Sequence, residues 1–234
     1  MIGFTDCTKK AEGITITSLD DKRLVKIDPQ ESGFFDAVLS FESTIEDVNK
    51  FIEAVAEVKK ASLKPFYRAI YDPTEVGNHR VAFQRGKKPA VGHSYNWWVD
   101  TASMMSPVEG RQWQLATEFQ YYAFLVWLIN QSENFELILQ LVVINSSALG
   151  HYYDSENSTK GEYVELTGSR CFLGVYDLAN TTKILKCLQE ENKGGFCLAG
   201  GDLSYDGYVC PLACLERITG VDDVNYGSVG LLVL

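Results

Sequence analysis

Apolar positions between Ile45 and Val58 recur every third or fourth residue, so Ile45, Val48, Phe51, Ile52, Val55 and Val58 share one helical stripe. Ser43 with Glu46 three residues on reads as a capping box, and Lys59-Lys60 put cations at the negative end of the helix dipole. The pattern predicts an N-terminal amphipathic helix over about 44–60. A greasier pattern follows Ser106. Ser106, Pro107 and Glu109 read as a helix start, after which Trp113, Ala116, Phe119, Tyr122, Ala123, Val126, Leu128 and Ile129 repeat at helical spacing. A long central buried helix over about 107–130 is expected, with Phe135 to Ile144 as a second apolar run. This stretch is core and carries no candidate chemistry.

Shorter apolar runs predict strands. Ile14 and Ile16 with Arg23 to Ile27 suggest a hairpin-like pair, and Gly33 introduces a strand over Phe34 to Phe41. Phe66 to Tyr71 and Arg80 to Arg85 are separated by turn residues Asp72-Pro73 and Gly77-Asn78. Tyr163 to Leu166, Cys171 to Tyr176 and Gly230 to Leu234 complete the expected strands, and Phe196 to Ala199 is a short apolar piece. Two further helices are expected, one capped by Asn180 or Thr181 and running through Leu188, the other from Pro211 to Ile218. Strands and helices mix without regular alternation. The expected fold is therefore α+β, a mainly antiparallel mixed sheet packed on the central helix and the N-terminal amphipathic helix. The chain reads as a single domain over 1–234, with polar residues 154–161 marking a surface loop or a weak lobe boundary.

Composition supports a packed core: 46% of the 234 residues are hydrophobic. The apolar run Tyr121 to Ile129 stops at Asn130, far short of the roughly 20 residues of a membrane span. Met1 to Glu12 lacks the apolar region of a signal peptide, so a soluble cytoplasmic protein with no membrane partner is expected. The glycosylation-type triplets at Asn145, Asn157 and Asn180 are then read as chance matches.

Charge changes the picture more. Between Lys59 and His93 eight basic residues face two acids, a balance of +6 in a chain of formal net charge −10. Folded onto one face, that window would attract an anionic ligand or an acidic partner. The acidic remainder argues against nucleic acid. Placed opposite the acids, the same cations would form an ordinary self-neutralised surface.

Within that window Arg85, Lys87, Lys88 and His93 lie beside Tyr95, Trp97 and Trp98, a combination of cations and flat rings suited to a partner hot spot or a stacked ligand. An extended chain would point Trp97 and Trp98 to opposite sides, making one of them core. His151, in His151-Tyr-Tyr-Asp154, is a weaker candidate contact. Cys210 precedes Pro211, and if Pro211 opens a helix, the dipole favours a thiolate at Cys210, with His93 or His151 as its base. Core packing explains the same cysteine. Cys187, Cys197, Cys210 and Cys214 could supply four thiolates to zinc, but Cys187 and Cys197 lie in apolar runs, so no metal and no cofactor are assigned. The glycines at 194, 195, 200, 201 and 207 lack the order and the Lys of a phosphate loop, and Asp202 and Asp206 among them repel anions.

Two functional readings follow. The first is an acidic soluble binding or assembly protein, of inhibitor, immunity or viral accessory or structural type, that recognises a protein partner through the basic, aromatic segment. The second is an enzyme acting on a small anionic or nucleotide-like substrate, with Cys210 or His93 as reactive group and Arg85, Lys87 and Lys88 holding the anion.

Overall fold

The computed structural model describes residues 16–77, 80–87, 89–90, 93–149, 171–176, 178, 183–186, 196–200, 211–218 and 231–233. The elements and residues expected at 1–15, 151–170, Lys88, Cys187 and Cys210 lie outside them. Helices and antiparallel strands in small sheets make an α+β fold.

Four strands form the largest sheet, in the order β1 (Leu24–Ile27), β2 (Phe66–Ala69), β11 (Leu231–Val233), β5 (Trp113–Leu115). All its pairings are antiparallel. A second sheet sets β9 (Phe196–Ala199) between β10 (Leu215–Ile218) and β8 (Lys183–Lys186). Two hairpins stand apart, β3 (Thr74–Gly77) with β4 (Arg80–Ala82) and β6 (Cys171–Phe172) with β7 (Val175–Tyr176). The helices are α1 (Asp36–Leu39), α2 (Glu46–Lys60), α3 (Tyr95–Met104), α4 (Glu118–Asn130) and α5 (Phe135–Val143). No helix among the described residues is long and apolar enough to cross a membrane.

α2 matches the sequence pattern: Val48, Phe51, Val55 and Val58 are buried and face α4 and α5. Its start differs in detail. Ser43 Oγ accepts from the Ile45 N–H at 3.1 Å, closing a local turn, while Ile45 holds the N-cap with no side-chain bond. With α4 and α5, α2 encloses a core that also takes Ile27, Phe66, Leu185, Cys197 and Leu212. A second core holds Val81, Phe83, Trp98, Ala102, Trp113, Leu115, Phe196 and Leu198. β9 lies between the two. Its alternate side chains go to opposite sides, Cys197 and Ala199 to the first core and Phe196 and Leu198 to the second, which is why this strand is an unbroken apolar run.

The expected long central helix is two elements. Glu109 and Gly110 adopt positive φ (49° and 77°) in a tight turn closed by paired hydrogen bonds between Val108 and Arg111. Glu109 therefore accepts from Leu19 N–H and Ser18 O–H instead of capping a helix. Trp113 and Leu115 continue as β5, and the helix begins only after Thr117, whose hydroxyl accepts from Gln120 N–H while the Gln120 carbonyl accepts from Thr117 N–H. The true capping box is thus Thr117/Gln120.

Strand β1 pairs with β2, and the Ile14 side of the expected hairpin lies outside the described residues. Three other expectations give way to the structure. The run from Phe34 to Phe41 forms the short helix α1, entered through Gly33 at φ 81°, with Asn130 Nδ2 donating to Phe34 O at 2.7 Å. The expected helix after Thr181 is β8, and the expected helix from Pro211 is a turn followed by β10. Both strands are set by pairing with β9, a contact with a neighbouring strand that the periodicity of a four-residue run does not contain.

Candidate functional site

α3 organises the segment singled out by charge and aromaticity. Ser94 caps it, its Oγ accepting from Trp97 N–H at 3.2 Å. The helix corrects the extended reading: consecutive side chains turn by about 100° instead of reversing. Trp98 falls on the inner face with Ala102 and is fully buried, so it is a core residue and not part of a surface patch. Trp97 is half-buried, its ring edge-on to Trp98 at 4.8 Å between centroids.

His93 lies flat on Trp97, with centroids 3.6 Å apart and planes 7° from parallel, and meets Trp98 edge-on at 5.9 Å. Its Nε2 is 3.3 Å from Glu75 Oε2. Glu75 projects from β3 beside an irregularity in the β3–β4 register. The chain leading to His93 is tied down by the Ala90 N–H, which donates to Pro73 O at 2.7 Å. The imidazole is therefore held by a carboxylate on one side and an indole face on another, half-buried. Such a group presents a pre-ordered flat surface and an oriented ring nitrogen for proton exchange or hydrogen bonding. Glu75 has no signal in sequence: it sits 18 positions before His93, and only the hairpin brings it there.

Arg85 and Lys87 are exposed in the turn after β4. The Arg85 guanidinium stands 5.9 Å from the Tyr176 ring centroid, and Tyr176 leans on Tyr71 at 4.8 Å. Burial first, and the adjacent Cys171 thiol second, push the Tyr176 phenol up to about 12. Tyr95 stacks on Phe196 at 5.6 Å and is half-buried.

The basic window of the sequence is dispersed. Lys59 pairs with Asp36 at 3.3 Å and Lys60 with Glu57 at 2.6 Å. Arg68 is buried, its guanidinium 4.1 Å from the centre of the Phe124 ring. Arg85 and Lys87 stay exposed in the turn after β4, and His93 stacks on Trp97.

Of the other candidates, Lys88, His151 and Cys210 lie outside the described residues. The helix that would have activated Cys210 does not form, because Pro211 to Cys214 make a turn and the chain continues as β10. That turn is clamped: Tyr121 O–H donates to Leu212 O at 2.8 Å, the Leu212 N–H donates to Ser146 Oγ at 2.8 Å, and Gly200 backs onto it so closely that a Cβ would lie 2.5 Å from Leu212 Cα. Cys197 is buried and its thiol donates to Glu118 Oε2 at 3.6 Å, while Cys214 is exposed. Glu118, a carboxylate only 1% exposed at the start of α4, is a buried polar residue the sequence reading passed over. Among the described residues no three His, Cys, Asp or Glu side chains gather as metal ligands would.

No family model and no curated protein sequence matches the chain. Among solved structures it is similar to PvdO from Pseudomonas aeruginosa, with a TM-score of 0.44 and 12% identity over 73% of this chain and 80% of that one.

Proposed function

We propose that this is a non-catalytic binding or assembly protein that recognises a protein partner through the corner formed by Arg85, Lys87, His93 and Trp97. The stack of His93 on Trp97, with Glu75 against the ring nitrogen, carries the reading. A flat ring already held in place loses little conformational entropy on contact, and two exposed cations on the same short stretch supply charge selection. On a chain of net charge −10, a local positive corner steers an acidic partner surface to one place and one orientation.

The test is capture from an extract of the native host. A protein retained by the wild type should be lost with Arg85→Glu/Lys87→Glu and with His93→Ala/Trp97→Ala, and kept with Lys22→Glu, an exposed cation elsewhere. If both double variants retain the same proteins as wild type, this corner is not the recognition surface.

The enzyme reading keeps Cys210 or His93 as its reactive group, and the His93 ring is oriented by Glu75 as a general base would be. For the cysteine version, fast single-site labelling of Cys210 by iodoacetamide near neutral pH is the expected observation, and equal inertness of all six cysteines removes it.

A further inference from the structure

A second concave site lies at the end of the four-stranded sheet where β1 finishes and β2 and β5 begin. Gln30, Lys64, Pro65, Arg111 and Gln120 line a cleft of about 750 Å³, within the size range of small-ligand sites. Among the described residues neither Lys64 nor Arg111 makes an ion pair, and no acid lines the cleft. Arg111 is half-buried, its guanidinium 5.6 Å from the Tyr67 ring centroid, so its reach is restrained by an aromatic face. Gln120 is 6% exposed. Its carbonyl oxygen is taken by Thr117 N–H and O–H at 3.0 and 3.2 Å, which fixes the amide of a residue that lines the cleft. The capping box that starts α4 thus also holds a side chain of the cleft wall.

The polar side chains of the lining are a planar fork, an ammonium and two amides, Gln30 and Gln120, and the Gln120 acceptor is already engaged. The adjoining cleft of about 720 Å³ shares Gln30 but contains Asp28 and Glu31 with Lys26, and Lys26 is paired to Asp28 at 2.9 Å. Two neighbouring hollows therefore differ in sign, and the cationic one stands out against a body of net charge −10.

We infer that the Lys64/Arg111/Gln120 cleft binds the phosphate group of a small phosphomonoester. A phosphate monoester carries about −1.5 to −2 charges near pH 7 and three terminal oxygens, matching two cations and an amide donor better than a single carboxylate does. The ester's organic part occupies the remaining volume by Pro65, and a second anionic group is turned away by Glu31 beyond Gln30.

Calorimetric titration of the full chain with phenyl phosphate, inorganic phosphate and acetate tests this. Saturable binding of phenyl phosphate, with acetate at least about tenfold weaker, is expected. Inorganic phosphate binding as tightly as phenyl phosphate identifies free phosphate as the ligand of the same site. Arg111→Gln and Lys64→Gln should each weaken phenyl phosphate by about tenfold or more, while Lys22→Gln leaves it unchanged. Lys64 is exposed, so its variant keeps the fold even if Arg111→Gln loosens the Tyr67 contact. No saturable phosphate binding, acetate binding equal to phosphate, or wild-type affinity in both variants overturns the assignment. Loss of protein capture at the Arg85 corner with phosphate binding retained, or the reverse, separates this site from the recognition surface proposed above.

Discussion

Trp98 buries its whole side chain in the second core, whereas Trp97 keeps part of its ring near the surface beneath His93. Trp98→Ala should therefore destabilise by about 3–5 kcal/mol, the usual range for a deleted buried aromatic, and Trp97→Ala by clearly less, both read from urea unfolding. Burial governs Tyr176 as well. Its phenol, 7% exposed, is raised to about 12 against an ordinary value of 10, so the folded state holds the proton that the unfolded chain releases first. Its contribution to stability is complete below pH 10 and is lost as pH rises from about 10 to 12, and Tyr176→Phe should flatten that part of the curve. Asp21 shifts the other way. Burial raises its carboxyl, but hydrogen bonds from the Arg23 side chain and backbone outweigh it and hold the group below its ordinary value. Asp21 therefore adds stability above its ordinary value of 3.8 that is lost as pH falls through the lower folded one, and Arg23→Ala should shrink that acid-side loss in a pH series of unfolding midpoints. At this scale the sequence showed which residue types were present near His93, but not which tryptophan was core or that Glu75 would face the imidazole, because both depend on a helix phase and a hairpin.

Elements with a long periodic face were legible. α2 runs where its apolar stripe places it, since fifteen residues contain enough turns for one phase to dominate. The start of α4 was missed because Ser106-Pro107 resembles a cap as closely as Thr117-Glu118 does; the positive φ at Glu109 and Gly110 decides between them. Thr117→Ala removes the side-chain half of the box and should cost about 1 kcal/mol, whereas Ser43→Ala, which caps no helix, should cost well under half of that by the same denaturation measurement. β8 and β10 show the opposite limit. Each has four residues, too few to display a period, and each becomes a strand because β9 offers it an edge. A short apolar run takes the conformation its neighbour can hydrogen-bond.

In the whole molecule the last described strand is central. β11 lies between β2 and β5, with Leu232 opposite Arg68 on one side and Gln114 on the other, so on each side it bonds to a segment more than a hundred positions earlier in the chain. Leu232→Pro removes a backbone donor from an internal strand and should abolish cooperative unfolding as followed by circular dichroism, while the same change in an exposed turn would not. The cleft lined by Lys64, Arg111 and Gln120 exists because one end of this sheet meets the start of α4. By itself the sequence determined the α+β class, the apolar segments that make the core and the amphipathic face of α2, because burial and period are written in local residue order. The tertiary structure alone decided which short runs became strands, which tryptophan was buried, and that Lys64 and Arg111 line one cleft. Those outcomes depend on hydrogen-bonding and electrostatic partners brought together from distant parts of the chain, and no local window contains them.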